Sequence, residues 1–377
     1  ARRGWRVTVL DERAPAAGAS GLPAGVFAPH VSPDDSVLSR LSRAGVRTTL
    51  QTLADMQRGE QWDHTGVLEH RVDGTPGIPA SWSDDGSPGA DWSRRATAVQ
   101  CTANAVSADA MACWHVRAGW VKPPDLIAHH LAHEHIEVRG DAPVAALKRV
   151  DADTPAPQWR ALDAHGNLLA QADVVVIAAG YDSRPLLPDD WYLQALRGQI
   201  SWGLHAEAPP EAQWPRVPLN GNGNLVPHVP LAQGSGWVLG STFERDVTAL
   251  PPSASDVAAA HADNLDKLRV LGPLLAPQLA DRFDEAIEHI TQTSAASAGE
   301  GSGVRSWGAV RVASHDRLPI VGPVDAEQLP GLWACTAMGS RGLTLSVLCG
   351  ELLASRLHHE PVGMDMRLAQ ALGSERL

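Results

Sequence analysis

Residues 1–26 read ARRGWRVTVLDERAPAAGASGLPAGV, and this stretch sets the expectation for the fold. Val7, Val9 and Leu10, with β-branched Thr8 among them, form a short apolar run ending at Asp11. That pattern suits the buried second strand of a parallel sheet. An acid at such a strand end can accept hydrogen bonds from ribose hydroxyls in a dinucleotide fold, where it follows a Gly-x-Gly-x-x-Gly turn by about 20 residues. The sequence contains no Gly-x-Gly-x-x-Gly, so only half of a dinucleotide site is legible. Residues 1–3 fit the last turn of a helix, with Gly4 as its left-handed cap. The small residues Gly18, Ala19, Ser20, Gly21, Ala24 and Gly25 would let backbone approach a pyrophosphate or a flat ring. A surface turn beside a structural acid reads the same way.

At 377 residues the chain can bury a full core and is long enough for two domains. Its net charge of −12 opposes unaided binding to nucleic acid, since phosphate contacts dominate that affinity, although a local basic patch remains compatible with it. Cys101, Cys113, Cys335 and Cys349 show no C-x-x-C spacing, which argues against a zinc ribbon or a redox pair and for reduced thiols in a cytoplasm. No apolar run approaches membrane-spanning length and no signal peptide opens the sequence.

Leu38, Leu41, Val46, Leu50, Leu53 and Met56 predict a helix over 37–57, with Arg40, Arg43 and Arg47 on one solvated side. Those arginines are candidate phosphate contacts or an ordinary charged face. Short alternating runs over 62–120, broken by Gly, Pro, Ser and Asp, predict antiparallel strands and an exposed loop. A helix returns at Pro123, followed by a strand at 136–138. His129 and His133 lie one turn apart there, but H-E-x-x-H is absent and no third ligand is evident, so no metal site is expected. Residues 142–150 and 159–162 alternate as strands. The run ADVVVIAAG at 172–180 predicts a buried parallel strand whose end, at Ala178, Ala179 and Gly180, opens onto a ligand or simply turns. Further strands fall at 199–203, 221–229 and 237–243, and a helix at 257–271 begun by Ser255 and Asp256.

Residues 308–353 carry the most specific signal: GAVRVASHDRLPIVGPV, then LWACTAMGSRGLTLSVLCGELLA. The second piece predicts a strand at 332–335, a Gly-flanked turn at 338–342 and a helix at 343–353. Such a unit points free N–H groups and a positive dipole end at whatever lies above them. On these residues the sequence resembles the FAD-dependent amine oxidases of the D-amino-acid oxidase and glycine oxidase superfamily. More narrowly, ASGLPAGVFAPH, LSRAG, GWVKPPDL, LRGQIS, VRVASHDRLPIVG and GSRGLTLSVLCGELLA followed by EPVGMD resemble the FAD domain of bifunctional enzymes making 5-methylaminomethyl-2-thiouridine in tRNA.

The resemblance implies an α/β (α+β overall) architecture: a Rossmann-like FAD-binding domain of the D-amino-acid oxidase type, lacking its first strand and Gly-rich turn, plus a mainly antiparallel β substrate domain. The FAD-binding domain is expected over 1–60, 121–198 and 304–377, and the strand-rich domain over 61–120 and 199–303. FAD is the implied cofactor. Asp11 would bind the adenosine ribose, with Glu12 or Arg13 along the same edge; Ala19, Ser20 and Gly21 would approach the pyrophosphate. Ala24, Gly25 and Val26 would run beside the flavin ring, Val144 would meet adenine, and Ala179 and Gly180 would pass near the dinucleotide. Gly339, Ser340, Arg341, Gly342, Leu343 and Thr344 would cap the pyrimidine end of the isoalloxazine. Arg311 aligns with the arginine that grips the substrate carboxylate, a task its planar fork suits.

The reaction so implied starts from a wobble-uridine side chain that is in effect an N-substituted glycine. Hydride leaves the methylene beside the neutral amine, and water splits the resulting imine into glyoxylate and a shorter aminomethyl group. The implied partners are tRNA and an amino-terminal SAM-dependent methyltransferase domain. Two alternatives stand beside this one. An oxidase of glycine, sarcosine or another small amine keeps the flavin chemistry, whereas a flavin-free structural or tRNA-docking remnant fits the missing turn.

Overall fold

The Val7–Leu10 run is a strand, paired in parallel with Ile136–Arg139 so that Val7 faces Ile136 and Leu10 faces Arg139. The helix Pro123–Leu131 precedes the second strand, with Asp125 in its first turn, where an anion favours the dipole. The computed structural model describes residues 1–71, 74–75, 77–82, 86–87, 89–150, 158–292 and 303–377; parts of the expected exposed loop at 72–92 lie outside these. The chain divides into two compact units: Ala1–Ser20, Pro124–Leu196 and Val310–Leu377, and Gly21–Pro123 with Arg197–Ala309.

In the first unit the parallel strands fall into two separate sheets. The second consists of Val175–Ile177 parallel to Leu332–Thr336, which is antiparallel to Ile320–Pro323. Neither apolar run is as buried as the sequence implies. Val7, Val9 and Leu10 are only partly buried, and Val176 is 38% exposed. Among the described residues each of these strands has one hydrogen-bonded neighbour, so one edge lacks the cover that a central strand receives. The run at 172–180 is strand for three residues only. An antiparallel meander, Ala146–Val150, Gln158–Leu162 and Leu168–Ala172, adds Trp159 to a core with Ile177, Val312, Ile320, Leu332 and Ala334. The buried Trp159 indole donates its N–H to the carbonyl of partly buried Pro330 at 3.0 Å.

The second unit centres on a nine-stranded, mainly antiparallel sheet in which Gly223–Leu231 pairs with Gly234–Gly240 and Val67–His70 with Ala112–His115. The helices Ala254–Leu271 and Ala276–Gln292 pack on it around Leu219, Leu225, Trp237, Leu239, Leu268 and Phe283. The first helix starts upstream of the expected point, because Ser253 and Asp256 close a reciprocal capping box. Residues 21–60, expected with the first segment, belong to this unit: Gly25–Phe27 pairs with Gly119–Val121, which also pairs with Trp62–Asp63. The Val37–Leu53 helix, capped by Ser36, buries Leu41, Val46 and Leu53. All four cysteines are free thiols, and burial pushes Cys113 and Cys335 up to about 12 and Cys349 well above its usual value.

Candidate functional site

Two groups of the expected site residues assemble within the first unit. In one, Asp11 ends the Val7–Leu10 strand, its amide bonded to the Arg139 carbonyl at 3.0 Å and its own carbonyl accepting from Ala142 at 2.9 Å. Those bonds bring the segment holding partly buried Val144 against the strand end. The Asp11 carboxylate accepts one bond from the described residues, from the Arg13 N–H at 2.9 Å, and the turn so formed leaves it partly exposed. Glu12 and Arg13, both exposed, pair at 3.2 Å; Gly140 lies under the Arg13 carbonyl, where a Cβ could not fit. Ala19 and Ser20 follow as exposed residues at the end of this segment.

The other group forms around the turn after Leu332–Thr336. Thr336 Oγ1 donates to the Gly180 carbonyl at 3.2 Å, which holds exposed Ala179 and partly buried Gly180 against the strand end. Ala337 and Gly339 both take left-handed conformations, φ 62° and 55°, and this double bend leads into the helix Gly342–Leu357. The Gly339 N–H donates to the Val312 carbonyl at 2.8 Å and Met338 bridges to Ala313, fixing the turn to the Arg305–Ser314 strand. Arg311 is on that strand, on the same face as Ala313 and opposite the core residue Val312. Burial lowers its guanidinium to about 10, which leaves it charged at neutral pH in poorly hydrated surroundings. At the helix head Arg341 is the N-cap residue but makes no side-chain capping hydrogen bond, and the first turn holds no acid. Ser340 is exposed, Arg341, Gly342 and Leu343 are partly buried, and Thr344 is buried.

The start of the chain is also tied to the far end of that helix. Arg3 pairs with Glu351 at 3.2 Å and Glu360 at 2.9 Å, and the Trp5 indole donates to His358 Nε2 at 2.6 Å. Gly21, Ala24, Gly25 and Val26 lie in the second unit, where Gly25 and Val26 pair with Val121 and Trp120. Ala24, 1% exposed, packs with Trp120, Val226 and Val238. No group of three metal-ligating side chains occurs among the described residues. Sequence reasoning missed Thr336 and Ala337, because a hydroxyl that anchors a distant carbonyl and an alanine at positive φ leave no local pattern. It also missed a row on the nine-stranded sheet: Ser93 Oγ lies 2.8 Å from His115 Nδ1, and His115 Nε2 lies 2.7 Å from Glu69 Oε2. The order is that of a nucleophile, base and orienting acid, but Ser93 is 1% exposed and His115 fully buried, so no substrate reaches them.

The residues present fit FAD in two places. A partly exposed carboxylate at a parallel strand end suits a ribose, and an acid-free helix head behind a bent turn suits an electron-rich ring edge. Among the described residues no helix is long and apolar enough to cross a membrane.

The family model described as FAD dependent oxidoreductase matches residues 1–356. A protein of Acidovorax sp. (strain JS42), named tRNA 5-methylaminomethyl-2-thiouridine biosynthesis bifunctional protein MnmC, is 57% identical over all of this chain. A protein of the same name from Cupriavidus necator is 32% identical, also over all of it. The chain spans 57% of the length of each. Glycine oxidase from Geobacillus kaustophilus superposes with a TM-score of 0.66 at 17% identity, covering 97% of this chain and 91% of that one. Iminodiacetate oxidase from Chelativorans sp. BNC1 gives 0.66 at 19%, covering 97% and 92%. With the fold and the family model in agreement over nearly the whole length, this chain belongs to the FAD-dependent oxidoreductases of the D-amino-acid oxidase type.

Proposed function

We propose that this chain is the oxidising part of a tRNA-modifying enzyme, and that it removes the carboxymethyl group from 5-carboxymethylaminomethyl-(2-thio)uridine at the wobble position to leave the 5-aminomethyl form. The observation that carries the reading is Arg311, a partly buried guanidinium on the strand to which the Gly339 turn is pinned. The name these two relatives share supports the tRNA substrate. Their greater length leaves room for a SAM-dependent methyltransferase domain as partner, and action on tRNA accords with the cytoplasm.

When bound, FAD supplies the two-electron oxidation of the C–N bond. In this reading Asp11 holds the ribose, with Glu12 and Arg13 beside it, and Ala19, Ser20 and Gly21 face the pyrophosphate. Val144 meets adenine, and Ala24, Gly25 and Val26 pass beside the ring. Ala179 and Gly180 lie along the dinucleotide. Gly339, Ser340, Arg341, Gly342, Leu343 and Thr344 cap the pyrimidine end of the ring, and the Gly342–Leu357 helix brings its positive dipole end to that edge. Arg311 grips the carboxylate of the N-carboxymethyl group with its planar fork. Holding the carboxylate fixes the methylene in one orientation, and most of the rate gain then comes from positioning, without a protein acid or base.

The test is nucleoside mass spectrometry of tRNA bearing the carboxymethylaminomethyl group, incubated in air with the FAD-loaded chain. The expected result is loss of the carboxymethyl mass, with glyoxylate released in equal amount. Oxidation of free glycine or sarcosine with the tRNA untouched overturns the tRNA reading. A chain that takes up no FAD overturns the enzyme.

A further inference from the structure

The Val37–Leu53 helix, residues 79–82 and 89–92 and the turn after Ala112–His115 bring arginines and tryptophans together on the second unit. Arg47 and Arg117, both exposed, each stack on the Trp92 ring, with guanidinium carbons 5.6 and 4.8 Å from its centroid. The Trp92 carbonyl accepts the Val116 N–H at 2.9 Å, so the backbone itself delivers Arg117 to the indole. Arg43 lies 4.9 Å over the partly exposed Trp82 ring, which rests against Gly89, where a Cβ could not fit.

Charge distinguishes the members of this face. Arg43 is satisfied by Asp35, at 2.6 and 2.9 Å. Arg47 and Arg117 have no carboxylate partner among the described residues, and neither does exposed Arg94, two positions beyond Trp92. In a chain of net charge −12, three exposed arginines with no carboxylate partner among the described residues are not what composition alone would scatter there. Two guanidiniums on one indole are each held by the ring's negative face, yet they repel one another, and an anion placed between them relieves both. A phosphodiester matches the planar donor fork of each arginine, and an unpaired base can stack on an aromatic ring beside it.

We infer that Arg47, Arg117 and Trp92, flanked by Arg94 and by Trp82 with Arg43, form a docking face for the phosphodiester backbone of tRNA. The inference rests on the tRNA reading above and adds to it a surface that positions the nucleic acid without touching the reacting group. Each contacted phosphate makes affinity fall with salt, by a slope of about 0.9 on double strands and about 0.7 on single strands.

The test is fluorescence anisotropy of labelled tRNA with the 377-residue chain between 50 and 250 mM salt. The double variant Arg47→Ala with Arg117→Ala is expected to bind about tenfold more weakly at low salt, with the log–log salt slope reduced by about 1.4–1.8. Arg47→Lys with Arg117→Lys keeps the charge and is expected to retain most of that slope. Because Trp92 is buried and the alanine pair removes its cover, Arg117→Glu is measured alongside as a single exposed change; it too is expected to weaken binding. Parent-like affinity and slope in the alanine pair, or in Arg117→Glu, overturn the docking face and leave the tRNA reading standing. A parent chain that binds no tRNA overturns both.

Discussion

Arg311 and Glu69 show how one side chain's surroundings translate into a measurable property. Burial costs the Arg311 guanidinium hydration, and in the function proposed above it pairs with the substrate carboxylate. Arg311→Ala is expected to lower kcat/KM for an N-carboxymethyl amine by about a hundredfold or more while FAD retention, read by absorbance of the purified protein, stays near parental. Arg311→Lys is expected to recover only part of this, since an ammonium lacks the two-pronged geometry. Equal turnover of the alanine variant and parent at subsaturating substrate removes the assignment. At Glu69 burial pushes the carboxyl up, but the His115 ring and the Arg71 guanidinium outweigh it and hold the acid at about 2. A depressed carboxyl stabilises the fold fully above its ordinary value of 4.5, and that contribution is lost as pH falls from there through about 2. Glu69→Gln is therefore expected to cost about 2–3 kcal/mol at pH 7 and almost nothing near pH 2. Urea denaturation across that range checks it; a difference independent of pH contradicts it.

At the scale of the element, the left-handed residues flanking the Leu332–Thr336 strand include two glycines that differ in what surrounds them. Gly331, at φ 86°, has the Asp173 carbonyl 2.6 Å from where a Cβ would stand; Gly339, at φ 55°, has only the Ala313 methyl at 3.8 Å. Gly339→Ala is expected to cost about 1 kcal/mol, for conformation alone, and Gly331→Ala clearly more, because strand and carbonyl must separate. Thermal denaturation of both variants compares them, and equal costs would show that the clash relaxes freely. The strand, turn and helix at 332–357 were legible because the apolar run, the glycines and the apolar helical spacing fall in sequence order. The Ala276–Gln292 helix was not, although Leu279, Phe283, Ala286 and Ile290 line its buried side. It follows the Ala254–Leu271 helix in a segment read as strands, and its charged positions mask the apolar stripe. Asp11 stood out as an acid ending an apolar run, and Arg311 through the family resemblance, by its place in VRVASHDRLPIVG. Thr336 carried no such mark, because its work depends on Gly180, 156 positions away.

Across the whole molecule the two units differ in how their sheets are built. The Val7–Leu10 and Ile136–Arg139 pair stands as two strands, whereas the other unit's sheet has nine. Two-stranded pairing is marginal without further cover, so amides of the small pair are expected to exchange with deuterium earlier than those of Gly223–Leu231 and Gly234–Gly240. Added FAD is expected to slow exchange at 7–13 and 338–345, and at a hundred times its Kd to stabilise the chain by about 2.7 kcal/mol. Unchanged exchange at both segments would separate them from the cofactor. The sulfhydryls give each unit its own clock. Cys101 and Cys113 belong to one, Cys335 and Cys349 to the other, and because the reactive thiolate is nearly absent at those raised values, iodoacetamide can mark a cysteine only once the structure around it has opened. Counting carbamidomethyl groups by mass over time would thus reveal which half of the polypeptide yields first, with no label engineered into it.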